Sequence, residues 1–305
     1  LADGTYSARV TSDGGVAEWS FTVRQGADPG AASTPQPTPT PTPAPTTGPS
    51  SGLARFQPTE PYRLVDSRTG QGGTTRLRAG QTVKIRIGDD DLAAVSANFV
   101  ATLPDAYGFL TAYPCTAERP EVSLLNYEPG QTIANQAVVP LADGVLCLYS
   151  SAATDVVIDV NGTFTAADGV GYVPIPAKRL YDSTSGSALE AGRELRLTVA
   201  GAGAPADAAA VALNVTAVLP EAHGFVQVYP CGSPTGAEIS TINYAPDGVR
   251  PNSVVTPLDD RGRVCVRSYA TTDVIVDITG YFADDGLDFQ PLLPMRVFDS
   301  RQGGD

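Results

Sequence analysis

Between residues 82 and 87 apolar and polar side chains alternate strictly. Val83, Ile85 and Ile87 fall on one face, and Thr82, Lys84 and Arg86 on the other. A period of two marks a half-buried β-strand. Further short apolar runs follow at 95–102, 108–113, 122–127, 136–141, 145–149 and 155–160, separated by turn signals such as Glu128-Pro-Gly130 and Asp143-Gly144. Helical spacing tempts only at 206–212, and that stretch leads straight into a strand-like run ending at Asn214. Seven or eight short strands per about 116 residues, with turns every 8–12, predict an all-β fold of sandwich or jelly-roll type.

The same pattern then returns. Arg63-Leu-Val-Asp66-Ser67-Arg68 recurs as Arg179-Leu-Tyr-Asp182-Ser183-Thr184 and again as Arg296-Val-Phe-Asp299-Ser300-Arg301. Asn98 matches Asn214, Tyr113-Pro-Cys115 matches Tyr229-Pro-Cys231, Asn126-Tyr127 matches Asn243-Tyr244, and Asn135 matches Asn252. Thr154-Asp155-Val-Val-Ile-Asp159 matches Thr272-Asp273-Val-Ile-Val-Asp277. The offset drifts only from 116 to 118 residues. A unit of that length exceeds a solenoid turn and is long enough to bury its own core, so the copies are expected to be separate beads. Copy 1 is expected at 53–170, copy 2 at 171–286 and the start of a third at 287–305. Whether the Arg-Leu-x-Asp-Ser segment opens its own module or completes the preceding one stays open.

Residues 1–25 hold two alternating runs joined by Ser12-Asp13-Gly14-Gly15, a hairpin signal. The Gly4-Thr-Tyr6 run resembles the last hairpin of an immunoglobulin-like or CopC-like domain, although no His or Cys lies there to bind copper. Residues 26–52 read as a linker whose stretch 34–51 is rich in Pro and Thr. That composition favours extended polyproline II, and its threonines are candidates for O-glycosylation. The chain opens on Leu1 and closes within a third copy, so an excerpt of a longer polypeptide is expected.

The four cysteines sit two per module at matching positions, predicting Cys115–Cys147 and Cys231–Cys265. A bridge closing a loop of this size contributes about 3–4 kcal/mol. A zinc site fails for want of ligands, with no Cys-x-x-Cys and a single His in the chain. Disulfides imply an oxidising, extracytoplasmic compartment. The net charge of −13 argues against a nucleic-acid surface. No apolar run reaches the ~20 residues that a membrane helix needs.

Catalytic residues, cofactors and metals are not expected. His223 in Ala-His-Gly-Phe replaces Tyr107 of Ala-Tyr-Gly-Phe, which points to a packing role for the ring. No Ser–His–Asp or Cys–His set can be assembled, and the acidic loops at 89–91 and 284–285 lack calcium-motif spacing. The sequons Asn161-Gly-Thr163 and Asn214-Val-Thr216 fall within or at the end of predicted strands and are read as accidental. The repeated carboxylates are the stronger candidates. Asp155 and Asp159, and likewise Asp273 and Asp277, lie four apart and share one strand face, as an acid–base pair or cation site would need. Their structural reading is turn capping and pairing with Arg63 or Arg179. For glycan binding, Tyr127 and Tyr244, each between an Asn and a turn, are the candidate exposed aromatics.

Pro61-Tyr-Arg63-Leu-Val-Asp66-Ser-Arg68, Ser123-Leu-Leu-Asn126-Tyr127 and Asp277-Ile-Thr-Gly280-Tyr281-Phe282, together with Gly108-Phe109 and Asn214-Val-Thr216, resemble a repeat of secreted and cell-surface actinobacterial proteins. The resemblance spans about residues 53–305 and implies export and modular architecture, often beside hydrolase or adhesion domains. Copy 1 departs from the pattern at Asn161-Gly162-Thr163-Phe164. The leading expectation is a non-enzymatic extracellular module for display, spacing or attachment to cell-envelope or extracellular polysaccharide. The alternatives are an accessory region of a secreted hydrolase and a carboxylate-based enzyme within the modules.

Overall fold

The computed structural model describes residues 4–12, 15–23, 52–233, 239–296 and 299. The expected linker at 34–51 and the expected hairpin turn at Asp13-Gly14 lie outside the described residues. The chain divides into two compact units, Leu1–Ala44 with Met295–Asp305, and Pro45–Pro294. In the first, β1 (Gly4–Ser12) and β2 (Gly15–Val23) pair antiparallel from Gly4↔Val23 to Ser12↔Gly15.

The second unit contains two eight-stranded sandwiches. Module 1 comprises β3 (Arg55–Asp66), β4 (Gln81–Arg86), β5 (Ala94–Thr102), β6 (Gly108–Pro114), β7 (Leu125–Tyr127), β8 (Thr132–Pro140), β9 (Val145–Ser150) and β10 (Asp155–Thr165). Module 2 comprises β11 (Gly171–Asp182), β12 (Glu194–Thr198), β13 (Ala210–Val218), β14 (Gly224–Pro230), β15 (Ile242–Tyr244), β16 (Val249–Pro257), β17 (Arg263–Ser268) and β18 (Asp273–Ala283). The sheets run β3-β10-β5-β8 and β4-β9-β6-β7 in module 1, and β11-β18-β13-β16 and β12-β17-β14-β15 in module 2. Every pairing is antiparallel and the strand order is the same in both modules, which is that of a jelly roll. The alanine run at 206–212 forms no helix, and Ala210 starts β13.

Alternation explains the cores. Val95, Ala97, Phe99 and Ala101 of β5 face inward against Leu110, Leu146 and Leu148, and Val211, Leu213, Val215 and Ala217 of β13 do the same against Val226, Val264 and Val266. The first strand of each copy is harder to read, because Pro58 and Pro61 interrupt it. It survives as an edge strand, where missing donors are tolerated, and its register against β10 shifts at two points. It also answers the phase question: β3 pairs with β10, and β11 with β18. Each Arg-Leu-x-Asp-Ser segment therefore belongs to its own module. The predicted strand at 122–127 shortens to β7 because the Asn135 Nδ2 takes the Leu124 carbonyl at 2.8 Å.

Both disulfides are present, with Cα–Cα distances of 5.0 and 4.9 Å. Each ties the end of β6 or β14 to the neighbouring β9 or β17 of the same sheet.

The expectation of separate beads is corrected. Ala54, Phe56, Ala93, Ala94 and Phe164 of module 1 share one buried cluster with Ala210 and Phe282 of module 2. Phe56 lies 5.1 Å from Phe164 and 4.6 Å from Phe282. The modules pack because each carries apolar side chains on the outside of one sheet, which only a neighbour can cover. The difference between the copies at Asn161-Gly162-Thr163-Phe164 narrows to Thr163, which stands where copy 2 has Tyr281 within Gly280-Tyr281-Phe282. Gly162 and Gly280 are equivalent, and a Cβ on either would run into the ring of Phe56 or Tyr172.

Candidate functional site

The repeated aspartates come from the outward face of β10 and β18, since Val156, Ile158 and Val160 take the core face of one and Val274, Val276 and Ile278 that of the other. Asp155 and Asp159 have different partners, as do Asp273 and Asp277. The Arg63 guanidinium donates to both oxygens of Asp159 at 2.9 and 3.2 Å, and Arg179 holds Asp277 at 2.8 and 3.2 Å. Asp155 accepts from Ser67 Oγ and from Arg76, both at 2.7 Å, and Asp273 accepts from Ser183 Oγ at 2.7 Å. Asp66 and Asp182 receive the backbone N–H two residues on, at 3.1 and 3.0 Å, as turn-capping carboxylates do. The Arg-x-x-Asp spacing makes the same close pair in all three copies: Arg63–Asp66 at 3.5 Å, Arg179–Asp182 at 2.8 Å and Arg296–Asp299 at 3.0 Å. These contacts match the structural reading of the aspartates. Among the described residues no group of three or more His, Cys, Asp or Glu side chains could hold a metal ion.

Two expectations about aromatic residues are corrected. Tyr127 and Tyr244 are only 3% and 4% exposed, so neither presents a ring face to solvent. Their hydroxyls reach Ser150 and Ser268 at 2.8 and 2.7 Å, and the Ala152 and Ala270 N–H groups donate back at 3.1 Å each. These tyrosines bolt a turn to the core. Tyr107 and His223, expected to pack a turn, are both exposed.

The seam between the modules is polar where it leaves the aromatic cluster. Asn98 of β5 donates to the Ser240 carbonyl and accepts from Asn252 Nδ2 at 2.9 Å. The Asn252 side-chain oxygen accepts from the Gln136 N–H at 3.1 Å. The Ser240 N–H donates to Asp159 at 3.0 Å. Module 2 thus seals Asp159 from water, and this burial raises its pKa to about 6 against the opposing pull of Arg63. Asn98 was legible only as a repeated residue; its partners come from the other copy.

Beside this seam lies a cleft of about 430 Å³. Gln131 and Thr132 form one wall, and His223, Phe225, Asn243, Arg250 and Tyr269 the other. Tyr269 is 66% exposed and stacks on Phe225, with centroids 5.3 Å apart and planes at 24°. Tyr269 has no aromatic counterpart in copy 1, where Ser151 stands, so a search for repeated residues passes over it.

No protein-family model matches the chain, and no curated protein matches it. Among solved structures, an IolB-like protein from Salmonella typhimurium LT2 is similar at 9% identity, over 79% of this chain and 95% of that chain, with a TM-score of 0.20. The sequence leads to the expectation that the chain is not an enzyme. That expectation rests on missing His-, Cys- and Ser-based constellations. A likeness at this TM-score assigns no activity. Among the described residues no helix is long and apolar enough to cross a membrane.

Proposed function

We propose that this chain is an exported surface module that displays or spaces its neighbours and attaches to cell-envelope or extracellular polysaccharide. The observation that carries the attachment is the exposed Tyr269 ring stacked on Phe225 over a cleft edged with polar side chains. A flat aromatic face meets the C–H face of a pyranose ring by dispersion, and a stacked second ring holds it in place. Arg250, Gln131 and Asn243 surround it with donors and acceptors for hydroxyl groups. The net charge of −13 favours a neutral glycan over an anionic one. The two disulfides fit an oxidising compartment outside the cytoplasm.

The test is retention of the chain on insoluble cell-wall and polysaccharide matrices, followed by titration with the soluble oligosaccharides of any matrix that retains it. Tyr269→Ala is expected to lose about 1 kcal/mol, roughly fivefold in affinity. Retention on no matrix, or unchanged affinity in Tyr269→Ala, would remove the glycan reading.

A further inference from the structure

We infer that the chain presents two seats for a third jelly-roll module of the same repeat, which would close a ring of three.

The first argument is the path of the strand leads. In the repeat alignment Ala54, Val170 and Leu287 are equivalent, as are Phe56, Tyr172 and Phe289. Phe56 pairs with Val170 through two hydrogen bonds of 2.9 Å, and Tyr172 pairs with Leu287 in the same way, also at 2.9 Å. Each copy thus receives the lead of the next. Phe289 then pairs with Ala54 at 2.7 and 2.8 Å. The third copy receives the lead of the first, so the order 1, 2, 3 returns to 1. A head-to-tail contact repeated along an open filament does not return in this way; one whose rotation closes makes a ring.

The aromatic rings follow the same cycle. Phe282 of copy 2 sits against Phe56 of copy 1, and Phe164 of copy 1 sits 4.5 Å from Phe289 of copy 3. The remaining contact of the cycle, onto Tyr172, falls to the third copy's counterpart of Phe164.

The second argument is the burial of the two seam faces. Module 1 offers the outer face of β5, and module 2 covers it with the segment before β15 and the start of β16. In module 1 Ser96, Asn98, Val100 and Thr102 are all buried, while their counterparts Ala212, Asn214, Thr216 and Val218 in module 2 are half-exposed. Asp159 is 2% exposed and Asp277 22%. On the covering side the order reverses. Ser240 and Thr241 are buried, whereas Ser123 is exposed and Leu124 half-exposed. Each module therefore has one face used and the opposite face open. The two open faces are complementary by the same rule that joins modules 1 and 2, and one further copy satisfies both.

All four cysteines are in disulfides, so a thiol probe reads a new cysteine alone. Ser123→Cys and Thr216→Cys would be placed singly in this chain, and in a chain where Met295 is followed by a second copy of residues 179–286. Labelling at both sites is expected to slow by at least about tenfold in the extended chain, because a covered thiol reacts only when the seam opens. Ser240→Trp in the appended copy alone is expected to restore labelling at Thr216→Cys and to leave Ser123→Cys protected. Equal labelling in both chains would overturn the inference, as would an appended copy that fails to form its own disulfide. Protection that already appears in the shorter chain and grows with its concentration would also overturn it, since a second molecule would then be covering the faces.

Discussion

Modules 1 and 2 carry the same arginine–aspartate clasp on the same face of the same fold, and they differ in what lies over it. In module 1 the Arg63–Asp159 pair is sealed beneath Ser240 of the neighbour, with side chains 11% and 2% exposed. In module 2 the Arg179–Asp277 pair stands at 51% and 22%. Two nearly identical local sequences therefore hold one clasp as a buried, desolvated group and the other as a surface pair. Coulomb attraction is worth little in water, and breaking a buried pair exposes an uncompensated charge. A residue's energetic weight here depends on the module beside it.

Four substitutions would break or sharpen this contrast. The largest effect is expected from Phe56→Ala, which empties a fully buried ring site shared by both modules. A loss of about 3–5 kcal/mol in chemical denaturation is expected. A loss below about 1 kcal/mol would mean that the aromatic cluster is not what joins the modules.

Asp159→Asn tests the pH side of the clasp. Its folded pKa, about 6, lies above the ordinary aspartate value of 3.8 because burial disfavours the charged form. The folded state therefore holds this proton more tightly than the unfolded state. The contribution is fully present below the unfolded pKa and is lost as pH rises through about 6. Asp159 should thus lower stability between roughly pH 4 and 6 by about 3 kcal/mol at most. The Asn variant is expected to flatten that stretch of the stability–pH curve relative to the unsubstituted protein. An identical slope in both would show that Asp159 is not the group responsible.

The smaller pair of effects compares Asn98→Ala with Asn214→Ala. Asn98 is 3% exposed and holds both Ser240 and Asn252. Its removal leaves the buried Ser240 carbonyl without this donor and one N–H of the Asn252 amide without its acceptor, the other N–H staying on the Thr241 carbonyl, at a cost of about 1–3 kcal/mol. Asn214 occupies the same position on the open face and is expected to change stability by no more than about 0.5 kcal/mol. Equal losses would mean that the seam adds nothing to the β5 position.

Much of the fold was legible in the chain. Strict alternation at 82–87 placed β4, the Cys spacing placed both bridges, and the repeated Asp–Arg pattern placed the clasps. Other features escaped for physical reasons. Pro58 and Pro61 hid β3, because a prolyl edge strand needs a partner that sequence does not display. Tyr127 and Tyr244 looked like surface residues beside turns, yet their hydroxyls reach serines 23 and 24 residues away in sequence. Tyr269, exposed and unrepeated, became visible only when stacking on Phe225 and the cleft wall from module 1 came together.

By itself the sequence determined a two-copy β-repeat, its disulfide pairs and the inward faces of most strands. Those properties follow from local periodicity and from spacings that any copy must satisfy alone. Tertiary structure decided the phase of the modules, which face of each is covered, and therefore which member of every repeated pair carries energy. The physical reason is that coverage arises from a neighbouring module. Two copies with the same residues receive different neighbours, and no pattern within one copy records which side the neighbour takes.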